Sequence, residues 1–141
     1  MANPISALAR AAAKIADFQV PSQPRTTFNV GRIGGGTSVN SIPADAWMEV
    51  DLRSSDPASL ATLDRRFKAA VDAAVQEENA RWGASGVVTA VKELVGSRPA
   101  GATPIDSAVV QAARAAGTAL GLDVVMSEGS SDSNIPMSLG I

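Results

Sequence analysis

A chain of 141 residues is long enough for one domain, or one and a fraction, and buries about two thirds of the surface that its unfolded form exposes. It has no histidine and no cysteine, which excludes imidazole and thiol chemistry and any disulfide framework. With a net charge of -2 and 12 scattered basic residues, no apolar run of the ~18 residues that span a bilayer and no signal peptide, the chain reads as soluble and cytoplasmic, with neither nucleic acid nor membrane as partner.

Asn3 followed by Pro4 supplies an N-cap and a first helical position, and Ile5, Leu8, Ala12 and Ile15 recur at helical spacing, which predicts an amphipathic helix over residues 4 to 16. Val20-Pro21-Ser22-Gln23-Pro24 reads as a linker. From Thr26 to Ile33 the pattern alternates, with Phe28 and Val30 on one face, as in a half-buried strand. The glycine run then turns the chain into a second strand, Ala46 to Arg53, where Met48, Val50 and Leu52 point one way and Trp47, Glu49, Asp51 and Arg53 the other. Asp56 and Pro57 cap a second helix, whose stripe of Leu60, Leu63, Phe67, Val71 and Val75 continues to about Arg81. A further strand is predicted from Val87 to Val95.

Helix, strand, strand, helix, strand is the β-α-β-β-α-β order of a ferredoxin-like fold without its leading strand. The fold class is therefore α+β: a two-layer sandwich with an antiparallel sheet, two helices on one face and no first strand. In such a sheet the first strand is central, so its loss leaves open edges. Dimerisation, or residues 124 to 126 adding to the sheet, is expected to cover the gap. Beyond the linker-like Gly96 to Gly101, residues 105 to 120 read as an alanine-rich helix stopped by Gly121, Val124 to Met126 as a short strand, and Ser127 to Pro136 as a polar, turn-rich loop. Nothing there closes a domain, so residues 102 to 141 read as a partial α/β segment.

Gly31 to Gly36 is better read as a hairpin turn than as a phosphate loop, because a dinucleotide fingerprint opens directly into a helix and here Pro43 and a strand follow. Asn40, in Asn40-Ser41-Ile42-Pro43, is by itself a turn residue. Arg53 is by itself a surface charge paired with Glu49 or Asp51, worth ~0 to 1 kcal/mol. Together, an amide and a guanidinium suit a substrate carboxylate or an oxyanion. Ser130 has no evident base to activate it, so the hydroxyls and amides of its loop read as substrate contacts or turn chemistry. Asp17, Asp45, Asp72 and Glu128 lack metal-ligand spacing; no metal ligand and no catalytic residue is assigned.

On these residues the sequence from Pro4 to Ile141 resembles the dinuclear zinc exopeptidases and amidohydrolases typified by glutamate carboxypeptidase, acetylornithine deacetylase, succinyl-diaminopimelate desuccinylase and peptidase T. Asn3-Pro4-Ile5 with Ala7-Leu8 is similar to the start of the first helix of that family's dimerisation (lid) domain. Val39-Asn40-Ser41-Ile42-Pro43 with Glu49-Val50-Asp51-Leu52-Arg53 is similar to its central hairpin. Gly129-Ser130-Ser131-Asp132-Ser133-Asn134-Ile135-Pro136 is similar to a substrate loop of the catalytic domain, with Leu139-Gly140-Ile141 leading into the next strand.

The resemblance implies a lid domain that interrupts the catalytic domain and pairs with a second subunit. It implies that Asn40 and Arg53 bind substrate, with reach into the neighbouring subunit's site, and that Gly129 and Ser130 line the pocket from the catalytic side. The family's metal ligands, a His-x-Asp block, a Glu-Glu pair, a further carboxylate and a last histidine, are not assigned within this chain, and neither are its lid histidine and first lid strand. On this basis residues 1 to 101 are the lid domain, incomplete at its N-terminus, and residues 102 to 141 a fragment of the catalytic domain. The implied function is a truncated part of a zinc-dependent metallo-exopeptidase or N-acyl-amino-acid amidohydrolase, inactive alone. The chain itself would hold no cofactor and the parent two zinc ions. Its partners would be a second copy in a homodimer and, in the parent, a small peptide or N-acyl amino acid. The alternatives are a self-standing, non-catalytic dimerisation or small-ligand-binding module and a regulatory domain of ferredoxin-like shape.

Overall fold

A computed structural model describes residues 1 to 84 and 86 to 141. In chain order they form helix α1 (Pro4–Ala16), strands β1 (Thr26–Gly35) and β2 (Ala46–Ser54), helix α2 (Pro57–Trp82), helix α3 (Ala108–Ala119) and the short helix α4 (Asn134–Ser138). The chain divides into two compact units, Met1–Leu94 and Val95–Ile141.

In the first unit both long helices begin at built caps. The Asn3 side-chain oxygen accepts from the Ile5 and Ser6 N–H groups at 2.9 and 3.4 Å, and Pro4 has no N–H to leave unpaired. Asp56 accepts from the Ser59 N–H at 2.7 Å, and the hydroxyl and N–H of Ser59 hold its carboxyl below the ordinary aspartate value. β1 and β2 pair antiparallel from Thr26 opposite Ser54 to Gly35 opposite Ala46. The register shifts between Val30 and Arg32, leaving Gly31 as the extra residue of a bulge. That one residue matters, because side chains alternate with period two. Phe28 and Val30 share the inner face with Val50 and Leu52, and the bulge turns Arg32 outward, opposite Glu49. The loop at the closed end needs glycine: Gly35 has φ +141°, and a Cβ there would stand 2.7 Å from the Ala46 Cα.

α1 and α2 pack on each other and on the inner face of the hairpin, in an α-β-β-α order consistent with a ferredoxin-like sandwich. Ala11, Val71 and Ala74 form the core cluster, with Met48 and Phe67 packed against it. Alanine dominates where the helices meet, as Ala7, Ala11, Ala70 and Ala74 are all buried.

The predicted strand from Val87 to Val95 does not form; no residue of that stretch joins a ladder. Its apolar alternation expresses a preference for a sheet, but a strand exists only against a neighbour. The central strand that would lie beside it is not formed by any described residue. α2 holds the stretch instead: the Val88 N–H donates to the Asn79 side-chain oxygen at 2.8 Å, the Asn79 amide donates back to the Val88 carbonyl at 2.9 Å, and Lys92 pairs with Asp72. Val87, Val91 and Val95 stay exposed.

In the second unit α3 starts at Ala108, later than predicted, because a turn at residues 105 and 106 precedes its N-cap Ser107. It ends at Ala119 with Leu120 as its C-cap, and Gly121 just beyond has φ +73°, a conformation that favours glycine. Residues 124 to 126 form no strand and do not extend the β1–β2 sheet; Val124 instead packs on Gly117 of α3. The loop read from Ser127 to Pro136 is broken by α4, and Leu139 to Ile141 are not a strand. The expected cover for the sheet by residues 124 to 126 is therefore not found, and both edges of the two-stranded sheet are unpaired among the described residues.

One buried charge ties the two helices together. Glu78 is 1% exposed, and its carboxylate accepts from the Asn3 N–H at 3.0 Å, the Trp82 indole N–H at 2.9 Å and the Arg10 Nε–H at 3.3 Å. Burial alone would push this carboxyl up; the three donors outweigh it and hold the group below the ordinary glutamate value. A depressed native pKa contributes stability that is present above the unfolded value and lost as pH falls through the native one. Glu78→Gln is therefore expected to cost about 1 to 3 kcal/mol at neutral pH and to flatten the acid limb of the stability curve below the ordinary carboxylate range, as read by urea unfolding at several pH values. Gly35→Ala is expected to destabilise by about 1 to 3 kcal/mol through backbone strain at the hairpin turn, measured in the same assay.

Candidate functional site

The hairpin presents its polar groups on the outer face and at its tip. At the tip, the loop from Gly36 to Asp45 carries Asn40, fully on the surface. The Ser38 hydroxyl donates to the Asn40 side-chain oxygen at 2.5 Å, and the Ser41 N–H donates to the Ser38 carbonyl at 3.5 Å. The Asn40 Nδ2 donors have no hydrogen-bond partner among the described residues. The loop faces the start of α1: Asn3 and Ile5 line one open recess with Gly36, Ser38, Val39 and Pro43.

Arg53 stands at the other end of β2, opposite Thr27. Its Nε–H donates to Asp51 at 2.6 Å and its side chain is 63% exposed, so the pair is held by solvent-screened attraction and is easily exchanged. From Ala46 to Arg53 the strand takes seven residue steps, about 23 Å at the ordinary rise of a strand. Asn40 lies beyond Ala46 in the loop, so the two side chains of one chain do not converge on a single carboxylate.

Between them lies a cluster that sequence reasoning did not single out. Arg32 donates to both carboxylate oxygens of Glu49, at 3.0 and 3.1 Å, and its guanidinium stands 5.3 Å from the centre of the Trp47 ring. The ring lies flat enough on the strand that a Cβ at Gly34 would come within 2.7 Å of it. Gly31 was the available signal, since a glycine inside a strand pattern marks a bulge.

In the second unit a Cβ placed on Gly129 would stand in open space, with nothing beyond its chain neighbours within 4 Å, and Ser130 is exposed. Arg98 holds that loop: one guanidinium nitrogen donates to the Ser130 hydroxyl at 3.4 Å and another stands 3.3 Å from Asp132. Asn134 reinforces the contact by donating to the Pro99 carbonyl at 3.1 Å while accepting from the Ser131 N–H at 2.9 Å. The stretch Gly96 to Gly101, read from composition as a linker, thus supplies a cation to the candidate substrate loop.

The chain does not fit a zinc centre. It has no histidine or cysteine, and among the described residues no three acidic side chains gather to hold a metal ion. A Glu-Glu pair does occur, at Glu77 and Glu78, but Glu77 pairs with Lys14 and Glu78 is enclosed by the donors already named. Among the described residues, no helix is long and apolar enough to cross a membrane.

Residues 1 to 79 match the model of the peptidase dimerisation domain. Among solved structures, the chain is similar to a tripeptidase from Staphylococcus aureus subsp. aureus Mu50, at 26% identity and a TM-score of 0.73 over 96% of this chain. The chain spans 35% of that tripeptidase's length. No curated protein matches it. With more than half of its length matched by that model, and with the α-β-β-α hairpin sandwich in place, the chain belongs to the peptidase dimerisation domain family.

Proposed function

We propose that this chain is the dimerisation and lid region, with an adjoining part of the catalytic domain, of a zinc-dependent exopeptidase or N-acyl-amino-acid amidohydrolase. Residues 1 to 101 would form the lid, and residues 102 to 141 the catalytic piece. The observation that carries this reading is the reach of the likeness to the tripeptidase, which covers 96% of the chain and so continues well past residue 79, where the match to the dimerisation domain ends. A self-standing dimerisation module would give no reason for that continuation.

In this reading the two zinc ions, whose chemistry is the activation of water and the polarisation of the scissile carbonyl, are held by residues outside this chain. The chain contributes self-association and substrate contacts. Asn40 offers unpartnered amide donors to a substrate oxygen, and Arg53 exchanges its exposed partner Asp51 for a two-pronged grip on a carboxylate. Standing about a strand length apart, they hold different groups of a ligand, or serve different sites of a dimer. Gly129 gives a ligand access to the backbone in the second unit, and Arg98 beside Ser130 adds a cation and a hydroxyl that suit the free carboxylate of a small peptide or N-acyl amino acid.

Three outcomes test this reading. The purified chain, incubated with zinc, is expected to show no chelator-sensitive hydrolysis of tripeptides or N-acetyl amino acids; clear turnover would overturn it. Sedimentation is expected to give twice the chain's mass at micromolar concentration, and a strictly monomeric species contradicts the dimerisation role. Arg98→Ala is expected to raise amide hydrogen exchange across residues 129 to 134 while leaving α1 and α2 unchanged; an unaltered loop would remove Arg98 from the site.

A further inference from the structure

We propose that Glu78, which touches none of the candidate substrate contacts, is the positioning residue for the loop that presents Asn40, acting through the first turn of α1. Its consequence for function rests on Asn40 being a substrate contact; the link from Glu78 to the loop does not.

Residues 36 to 45 make one weak backbone hydrogen bond among themselves, from Ser41 to Ser38, and no described hydrogen bond joins them to a helix. On the α1 side their one close neighbour is Ile5, at the edge of an open recess. Ile5 Cδ1 would stand only 3.3 Å from a Cβ placed on Gly36, and Asn3 and Ile5 line the recess beneath Ser38, Val39 and Pro43. Ile5 against Gly36 is thus the point at which the first turn of α1 meets the loop.

That turn is in turn fixed from α2. The Asn3 N–H precedes the helix and has no acceptor within it, and Glu78 accepts it at 3.0 Å. Arg10 lies two turns further along α1 on the same face, and the same carboxylate accepts from it at 3.3 Å. One carboxylate thus clamps α1 at two points, setting both its depth and its rotation against α2. The other groups around it leave its charge to this task. From α2, Trp82 donates to it and carries Arg81 over its ring, while Lys14 of α1 is engaged by the neighbouring Glu77. A surface carboxylate would serve poorly, since its ion pairs would be screened; here the group is 1% exposed.

The test follows the isotopically labelled 141-residue chain by NMR through an acid titration. The side-chain carboxyl resonance of Glu78, the backbone amides of residues 37 to 41 and the Asn40 side-chain amide are expected to share one midpoint, below the ordinary carboxylate range. In Glu78→Gln that shared transition is expected to disappear from the loop, and the Asn40 amide to shift at neutral pH, while the β1–β2 ladder amides stay in place. Merely structural support would move the ladder, α2 and the loop together; that pattern, or a loop that ignores the Glu78 midpoint, overturns the proposal. Ile5→Ala guards against a Glu78 variant that fails to fold. It is expected to uncouple the loop while Glu78 still titrates as before, and a loop that still follows Glu78 overturns the route through α1. If Asn40→Ala leaves the binding of N-acetylglycine unchanged while the coupled titration persists, the substrate role of Asn40 falls and the link from Glu78 stands.

Discussion

A two-stranded hairpin has two faces and can bury only one, and the first unit is organised around that constraint. α1 and α2 cover the inner face of β1 and β2, and they do so at close range because alanine lines their contact at positions 7, 11, 70 and 74. Small side chains let two backbones approach closely but remove little apolar surface from water. The bulk of the filling falls to Ile15, Leu63 and Val71, with Phe67 and Met48 packed against them. A core of this size leaves a large share of the specificity to polar anchors, which fix how the layers sit rather than how tightly they adhere.

Those anchors lie where the apolar pattern would otherwise lose definition. Glu78 continues the buried stripe of Leu63, Val71 and Ala74 by one further turn, replacing a side chain that could only fill space with one that recognises an N–H, an indole and a guanidinium. On the outer face the bulge at Gly31 brings Arg32 to the same side as Glu49 and Trp47. The inner anchor orders a helix terminus. The outer cluster fixes charge and an aromatic ring on a surface open to ligands or to another protein.

The helices and the hairpin were legible because each has a repeating pattern and a terminal signal: Asn3-Pro4 and Asp56-Pro57 mark starts, Gly121 a stop, and Met48, Val50 and Leu52 the buried side of β2. The stretch from Val87 to Val95 was misread because alternation reports a residue's preference and says nothing about whether a partner strand exists. Residues 124 to 126 failed for the same reason. Of the site, Asn40, Arg53, Gly129 and Ser130 were legible as residue types in motifs. Their spacing in space was not, since it depends on register and on the length of β2. Glu78, Arg32 and Arg98 escaped notice because a charged residue looks alike in sequence whether it is solvated or enclosed; only the position of Glu78 on an apolar stripe could have flagged it.

Asn79 does for Val88 what a neighbouring strand does, donating to its carbonyl and accepting from its N–H on one side of the backbone. Both groups of a residue in extended chain point to the same side, and those of the residues before and after point the other way. With Val88 committed to α2, the hydrogen-bonding groups of Val87 and Thr89 would, in an extended chain, face away from it. Any strand laid alongside is thereby restricted to one phase of pairing, and a slip by a single residue would meet a backbone whose donors and acceptors are already engaged.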